Sequence, residues 1–310
     1  MSQQQANIWV CNVSVATIWT DSESPRVIDQ VGLTKPVLLQ KWYDELTKKQ
    51  RDHLCYEKRV QSQLLYGEEV IVDQIEGKWA KIIAVNQPSK KDERGYPGWV
   101  PLTQLKLVSQ DWREPPIALV TNEQTILYDS NKLPFLELSY GTYLPVLKQQ
   151  ESWIKVRTPE GEGWFQAKNI KVYNSIKDLP QGNGQSIVKS AEQFLKLPYF
   201  WGGMSAFGYD CSGFAYTMHK MNGYRIPRDA SDQALQGKQV AFNELKIGDL
   251  LFFEGDIGKG NINHVGIYYG NGQMIHSSIS STGIEVISLA GSRYESKLCE
   301  ARRYYQEEST

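Results

Sequence analysis

Long apolar runs are absent from this 310-residue chain. No stretch approaches the ~20 residues that a membrane-crossing helix requires, so no membrane partner is expected. Neither sign of charge is in excess: 34 Lys and Arg stand against 35 Asp and Glu, a net of −1. That balance argues against a nucleic acid or another polyanion as partner. Cysteine is scarce, at four residues. Cys11, Cys55, Cys211 and Cys299 lie far apart and form no CxxC pair, which excludes a disulfide framework and slightly favours a reducing compartment. Apart from Cys211, they are expected to be small buried side chains. No cofactor and no metal are expected, and the chain is expected to be a monomer. The opening Met1-Ser2-Gln3-Gln4-Gln5 is polar and lacks the apolar core of a signal peptide. A cytoplasmic location is expected on that ground, with a secreted or cell-wall location as the alternative if a leader has been removed.

What is present is a repeat. Tyr66-Gly67 is followed twelve residues after the glycine by Trp79-Ala80-Lys81-Ile82, then by Gly98-Trp99-Val100 and Lys106-Leu107. Tyr140-Gly141 is followed at the same spacing by Trp153-Ile154-Lys155-Val156, then by Gly163-Trp164-Phe165 and Lys171-Val172. Between the two tryptophans of each copy, the first is nine residues longer, the extra segment lying within Asn86–Tyr96. Short β-rich runs separated by Gly, Pro and Asn turns predict small barrels, and the pattern resembles bacterial SH3-like modules. Trp99 and Trp164 are expected in the barrel cores. Residues 35–56 read as one helix, with Leu38, Leu39, Trp42, Tyr43 and Leu46 near one stripe and His53 on the surface. The domain reading is an SH3-like module with a helical insertion at 1–110, a second at 111–173, a linker at 174–185 and a third domain at 186–306.

The chemistry lies in that last domain. Ser186 reads as a helix N-cap, with Ile187, Ala191, Phe194 and Leu195 as the buried stripe. A glycine-rich loop, Trp201-Gly202-Gly203 to Gly208, leads into Asp210-Cys211-Ser212-Gly213-Phe214. Phe214, Ala215, Met218 and Met221 then follow a helical stripe, so Cys211 falls in a first helical turn. There the helix dipole is expected to lower a thiol pKa from about 8.5, and backbone amides can stabilise an oxyanion. Leu250–Phe253 reads as a buried strand, and His264–Tyr269 and Gln273–Ser278 as a hairpin around Gly270-Asn271-Gly272. A three-residue loop pairs Tyr269 with Gln273 and Gly266 with His276, which puts His264 and His276 on one face as diagonal neighbours, roughly 7–8 Å apart. Cys211 is therefore the candidate nucleophile, His264 the general base and His276 the group that orients it. The rival reading of these three as a zinc site lacks a fourth ligand. His219, on the Cys211 helix, is expected at the surface.

Six motifs in order carry a resemblance: Pro198-Tyr199-x-Trp201-Gly202-Gly203, Asp210-Cys211-Ser212-Gly213-Phe214, Pro227-Arg228-Asp229, Gly248-Asp249-Leu250, His264-Val265-Gly266-Ile267-Tyr268 and Ile275-His276. Residues 186–306 resemble the NlpC/p60 family of cell-wall cysteine peptidases. The resemblance implies an α+β, papain-like catalytic domain with Cys211, His264 and His276 as its catalytic residues. With two preceding SH3-like modules, the chain resembles the γ-D-glutamyl-L-diamino acid endopeptidases. These act on murein peptide fragments, L-Ala-γ-D-Glu-diamino acid, that have a free amino end. A free amine calls for acids, for which Asp229 and Glu57 are the candidates, with Tyr96 closing the pocket. Tyr199 is a candidate oxyanion donor. Asp210, Ser212, Trp201 and Ala230 are further candidate substrate contacts. Asp229 reads equally as a helix N-cap and Glu57 equally as a surface acid. A wall-binding protein with a passive papain-like domain, and an amidase or acyltransferase on the same fold, remain open at this point.

Overall fold

The Tyr-Gly pair that opens each repeat turns the chain in the same way. Gly67 has φ +80° and Gly141 φ +81°, the left-handed region that favours glycine. Gly67 donates its N–H to Cys11 at 2.8 Å, and Gly141 to Val120 at 3.0 Å, so each turn is tied to the end of an earlier strand. The computed structural model in which this is seen describes residues 7–306 apart from 256 and 259; Met1–Gln5 lie outside the described residues.

Seven strands carry the first copy: Ile8–Cys11, Val15–Trp19, Val60–Leu65, Glu69–Glu76, Trp79–Ala84, Tyr96–Pro101 and Leu105–Val108, β1 to β7. Seven more carry the second: Ile117–Val120, Gln124–Tyr128, Pro134–Ser139, Tyr143–Gln149, Trp153–Thr158, Gly161–Gln166 and Ile170–Tyr173, β8 to β14. The sheet orders are β3-β2-β6-β5-β4-β1-β7 and β10-β9-β13-β12-β11-β8-β14. The second order is the first with every label raised by seven. Both are open orders and both modules are SH3-like. The repeat extends to register, for Lys81 pairs with Trp99 and Lys155 with Trp164.

Strand alternation then sends Trp99 and Trp164 away from the cores in which they were expected. Both are half-buried, while Val100 and Phe165 beside them are fully buried. Successive side chains point to opposite faces, and the core of the second sheet takes Leu127, Leu138, Leu144, Ile154, Val156 and Phe165. Trp164 instead carries Lys132 Nζ 4.6 Å from its ring centre.

The single helix expected at 35–56 is two, α1 (Leu39–Glu45) and α2 (Lys48–Tyr56). Thr47 breaks it by capping α2: its hydroxyl accepts from the Gln50 N–H while the Gln50 side chain accepts from the Thr47 N–H. That reciprocal box makes a helix start inside the run. Trp42, Leu39, Tyr43 and Leu46 are buried as the stripe predicts, but Leu38 is exposed.

By packing, the chain divides into two units. One takes the residues up to Asn86, Arg94–Asp178 and Ser205–Phe207; the other takes Gln87–Glu93, Leu179–Met204 and everything from Gly208 on. The second unit holds α3 (Gly184–Glu192), α4 (Cys211–Lys220) and the short α5 (Ala230–Gln233). Asn183, not Ser186, caps α3 by accepting from the Ser186 N–H. Met204–Ser205 and Gly208–Tyr209 are β15 and β16; then come β17 (Lys238–Gln239), β18 (Leu250–Glu254), β19 (Ile262–Gly270), β20 (Gln273–His276), β21 (Glu285–Ser288) and β22 (Leu298–Arg303). The main sheet runs β17-β22-β18-β19-β20-β21, with antiparallel neighbours. Asp249, wholly buried before β18, holds Arg303 of β22 through two bonds of 2.7 Å, locking one end of the sheet. α4 packs on β19, which brings the cysteine helix to the histidine strand.

Candidate active site

Cys211 is the first residue of α4, and the chain reaches it through a loop that requires glycine. Gly202 has φ +75°. A Cβ at Gly203 would stand 2.1 Å from the Gly208 carbonyl oxygen, and one at Gly213 would stand 2.2 Å from that of Gly203. Only glycine lets the loop lie this close to the first turn of α4. Asp210 fastens the two together. It accepts from the Gly213 N–H at 2.6 Å as the helix cap, and from the Gly202 N–H at 2.9 Å.

The Asp210 carboxylate also binds Arg228, at 2.7 and 3.2 Å, and Arg228 donates to the Ser212 hydroxyl at 2.8 Å. Arg228 is 1% exposed. Asp210 and Ser212 therefore spend their side chains on an internal network around the nucleophile. Arg228 lies in the Pro227-Arg228-Asp229 motif, and nothing local in the chain shows that its partner is Asp210.

Burial pushes the Cys211 thiol up to about 12, with Asp210 adding to the rise and the Val265 and Ser212 backbones and Arg228 opposing it. The lowering expected from the helix start is overridden: a helix dipole is worth about 0.3–1 kcal/mol, less than the cost of a buried thiolate. The resting thiol is neutral.

The hairpin has the expected register in its body, Ile267 opposite Ile275 and Tyr268 opposite Met274. At the tip it differs. Gly270 pairs with Gln273, so the turn is Asn271-Gly272 with a bulge before it, and Asn271 and Gly272 both have positive φ, as a tight hairpin turn demands. His264 Nε2 and His276 Nδ1 are 2.7 Å apart. Two nitrogens hydrogen-bonded to each other cannot both ligate one metal. If Nε2 of His264 carries the proton, its Nδ1 is left free to accept one. His276 then has its proton on Nε2, which is 3.6 Å from the Glu285 carboxylate across the β20–β21 pair. Burial, the neighbouring His276 and Arg293 hold His264 well below the ordinary imidazole range. Burial and Arg293 bring His276 down to about 4. Both rings rest neutral at pH 7.

The other predicted residues are distributed as follows. Tyr199 and Trp201 are half-buried in the loop before Cys211, and the Tyr199 backbone bridges to Tyr209. Asp229 stands at the N-cap position of α5 but its side chain makes no cap bond. Its carboxylate instead meets Lys91 Nζ at 3.1 Å. Ala230 is the first residue of α5. Lys91 belongs to the second unit with the rest of 87–93. That segment is held by Arg228 N–H to Pro88 O at 3.0 Å and by Lys90 to Asp232. Glu57 and Tyr96 belong to the first unit. Glu57 caps the end of α2 and pairs with Arg59 and His53; Arg59 foremost holds its carboxyl below the usual range. Tyr96 is buried and donates to Gln61 at 3.3 Å. His219, expected at the surface, is fully buried with Nδ1 2.8 Å from the Ala215 carbonyl. The helix face it occupies is packed against Tyr304.

The NlpC/P60 family model matches residues 196–303, and a model described as the YKFC SH3b2 domain matches residues 120–173. The chain is 41% identical over 294 residues to the gamma-D-glutamyl-L-lysine dipeptidyl-peptidase of Bacillus subtilis (strain 168), spanning 95% of this chain and 98% of that protein. It is 39% identical over 298 residues to the protein of the same name from Bacillus cereus, spanning 94% of this chain and 90% of that protein. The crystal structure of an NlpC/P60 family protein from Bacillus cereus superposes with a TM-score of 0.91 at 36% identity, covering 97% of this chain and all of that one.

Proposed function

Because the chain belongs to the NlpC/P60 family of cysteine peptidases, we propose that it cuts the γ-D-glutamyl-L-diamino acid bond of murein peptide fragments with a free N-terminal L-alanine. The observation that carries this reading is similarity along nearly the whole length to two proteins named for γ-D-glutamyl-L-lysine. In the proposed reaction, Nδ1 of His264 takes the Cys211 proton as sulfur attacks the γ-carbonyl carbon of D-glutamate. His276 holds the imidazole in the tautomer that does this. The oxyanion is met by the Cys211 N–H at the start of α4 and by the Tyr199 hydroxyl. Collapse of the tetrahedral species breaks the C–N bond, and His264 returns its proton to the departing amine. Water, deprotonated by His264, then hydrolyses the thioester and restores the thiol. Both the thiol and the imidazole rest neutral, so the proton moves during attack and no thiolate is stored beforehand.

Asp229 supplies the charge for the substrate's ammonium. Trp201, Asp210, Ser212 and Ala230 border the scissile segment. All three reacting side chains come from one chain, so a monomer suffices. Cys211→Ala should abolish hydrolysis of L-Ala-γ-D-Glu-L-Lys with the circular-dichroism spectrum unchanged, and acetylating the alanine should lower turnover by at least tenfold. Hydrolysis retained by Cys211→Ala removes the thioester mechanism. Equal turnover of the acetylated peptide removes the ammonium pocket but not the chemistry.

A further inference from the structure

Two residues that no part of the reaction yet uses surround the histidine pair. Tyr294 lies before the 3-10 turn that leads into β22 and is 7% exposed. Its ring stacks on His264, with centroids 4.9 Å apart and planes 25° from parallel. The same ring meets His276 edge-on, at 5.1 Å and 87°. Phe253 completes the enclosure, 5.8 Å from His264 and 5.1 Å from Tyr294.

Tyr294 is itself held. Its hydroxyl is 3.0 Å from the Ser278 hydroxyl and accepts from Arg293 at 2.5 Å. Arg293 also donates to Ser278 at 2.9 Å and to Ser280. Ser278 lies two residues after His276, so the phenol is tied to the chain that carries the second histidine.

We propose that Tyr294 is the positioning residue of the histidine pair: it fixes the plane of the His264 ring and the meeting angle of the two imidazoles, while Arg293 anchors it. The proposal rests on His264 and His276 acting as base and orienter. The physical reason is that a hydrogen bond between two imidazoles fixes one atom pair but leaves each ring free to swing about it. Stacking on one ring and edge contact on the other remove that freedom. A base misplaced by about 1 Å can cost on the order of 100-fold in rate.

The groups facing the pair are Arg293 and Tyr294 from the turn before β22 and Glu285 from β21; the Cys211 thiol meets the backbone of Val265, next to His264. Arg293 opposes an imidazolium on either ring, so the anchor also keeps the base neutral.

The test is the pH profile of kcat and KM for L-Ala-γ-D-Glu-L-Lys hydrolysis by the full chain carrying Tyr294→Phe, Tyr294→Leu or Arg293→Met. Tyr294→Phe keeps the ring and the Arg293 guanidinium that lies over it, 4.7 Å from its centre, so kcat should stay within about threefold of the parent. Tyr294→Leu removes the stack: kcat should fall on the order of 10- to 100-fold with KM little changed. Its acid limb should also move up toward pH 6.5 as water reaches the imidazoles. Arg293→Met should move the acid limb in the same direction. Tyr294→Leu with parental kcat and an unmoved acid limb overturns the proposal, as does Tyr294→Phe as impaired as Tyr294→Leu. Should Tyr294→Leu not fold, an unmoved acid limb in Arg293→Met overturns it. His264→Ala separates this from the underlying reading: if His264→Ala retains hydrolysis, the base assignment itself fails.

Discussion

Arg228→Met leaves the Asp210 carboxylate buried beside the Cys211 thiol without its cation. The pair is closed from water, with side-chain exposures of 1% and 8% and an N–O distance of 2.7 Å. Asp210 keeps its bonds from the Gly202 and Gly213 N–H groups, so the cap survives, but a charge stays behind. Breaking a buried ion pair by removing one partner costs about 3–5 kcal/mol, most of it from the abandoned charge. Methionine fills similar space, which keeps a cavity out of the difference. Urea unfolding of the parent, Arg228→Met, Asp210→Asn and the double variant measures this. Arg228→Met should lose several kcal/mol, and the double variant should be the more stable of the two because no buried charge remains. The thiol gives a second readout. Asp210 raises its pKa and Arg228 lowers it, so iodoacetamide labelling of Cys211 should shift to higher pH in Arg228→Met and to lower pH in Asp210→Asn. An Arg228→Met protein within about 0.5 kcal/mol of the parent, or strictly additive losses in the double variant, would refute the account.

Two further outcomes follow from the structure. Lys91→Ala frees the Asp229 carboxylate from an ammonium at 3.1 Å; the pair is partly exposed, so KM for a free-amine substrate should fall about two- to fivefold, with KM for the N-acetylated peptide unmoved. Burial brings His219 down to about 4 from an ordinary 6.5. The unfolded chain therefore binds more protons at this histidine between those values, so its contribution to stability should fall as pH drops from 6.5 to about 4 and level off below. One such group contributes about 3 kcal/mol, and His219→Gln should flatten the urea-derived slope over that window by one proton.

Residues close in sequence were the legible ones. Cys211 at a helix start could be read from Asp210, Gly213 and the apolar spacing after them, because capping and helical periodicity act within four residues. The His264–His276 facing pair could be read because a hairpin is a local object, and a bulge at its tip left the register of its body unchanged. The repeat predicted two modules of like build, and the sheets agree strand by strand. At Thr47 the apolar stripe runs on while a capping box starts a second helix, so periodicity alone does not show the break.

The remainder depends on distance along the chain and on solvent. Arg228 meets Asp210 across eighteen residues, and Tyr294 stacks on His264 across thirty. Lys91 meets Asp229 across 138 residues. No periodicity or capping rule encodes such meetings, since they follow from how elements pack once formed. Burial likewise belongs to the assembled fold: it turned an expected low-pKa thiol into a high one, and an expected surface histidine into a core one. Local patterns along the chain pick out the residues that can do the chemistry. Their protonation states, and the neighbours that hold them, come from the folded packing, because both depend on which groups lose water together.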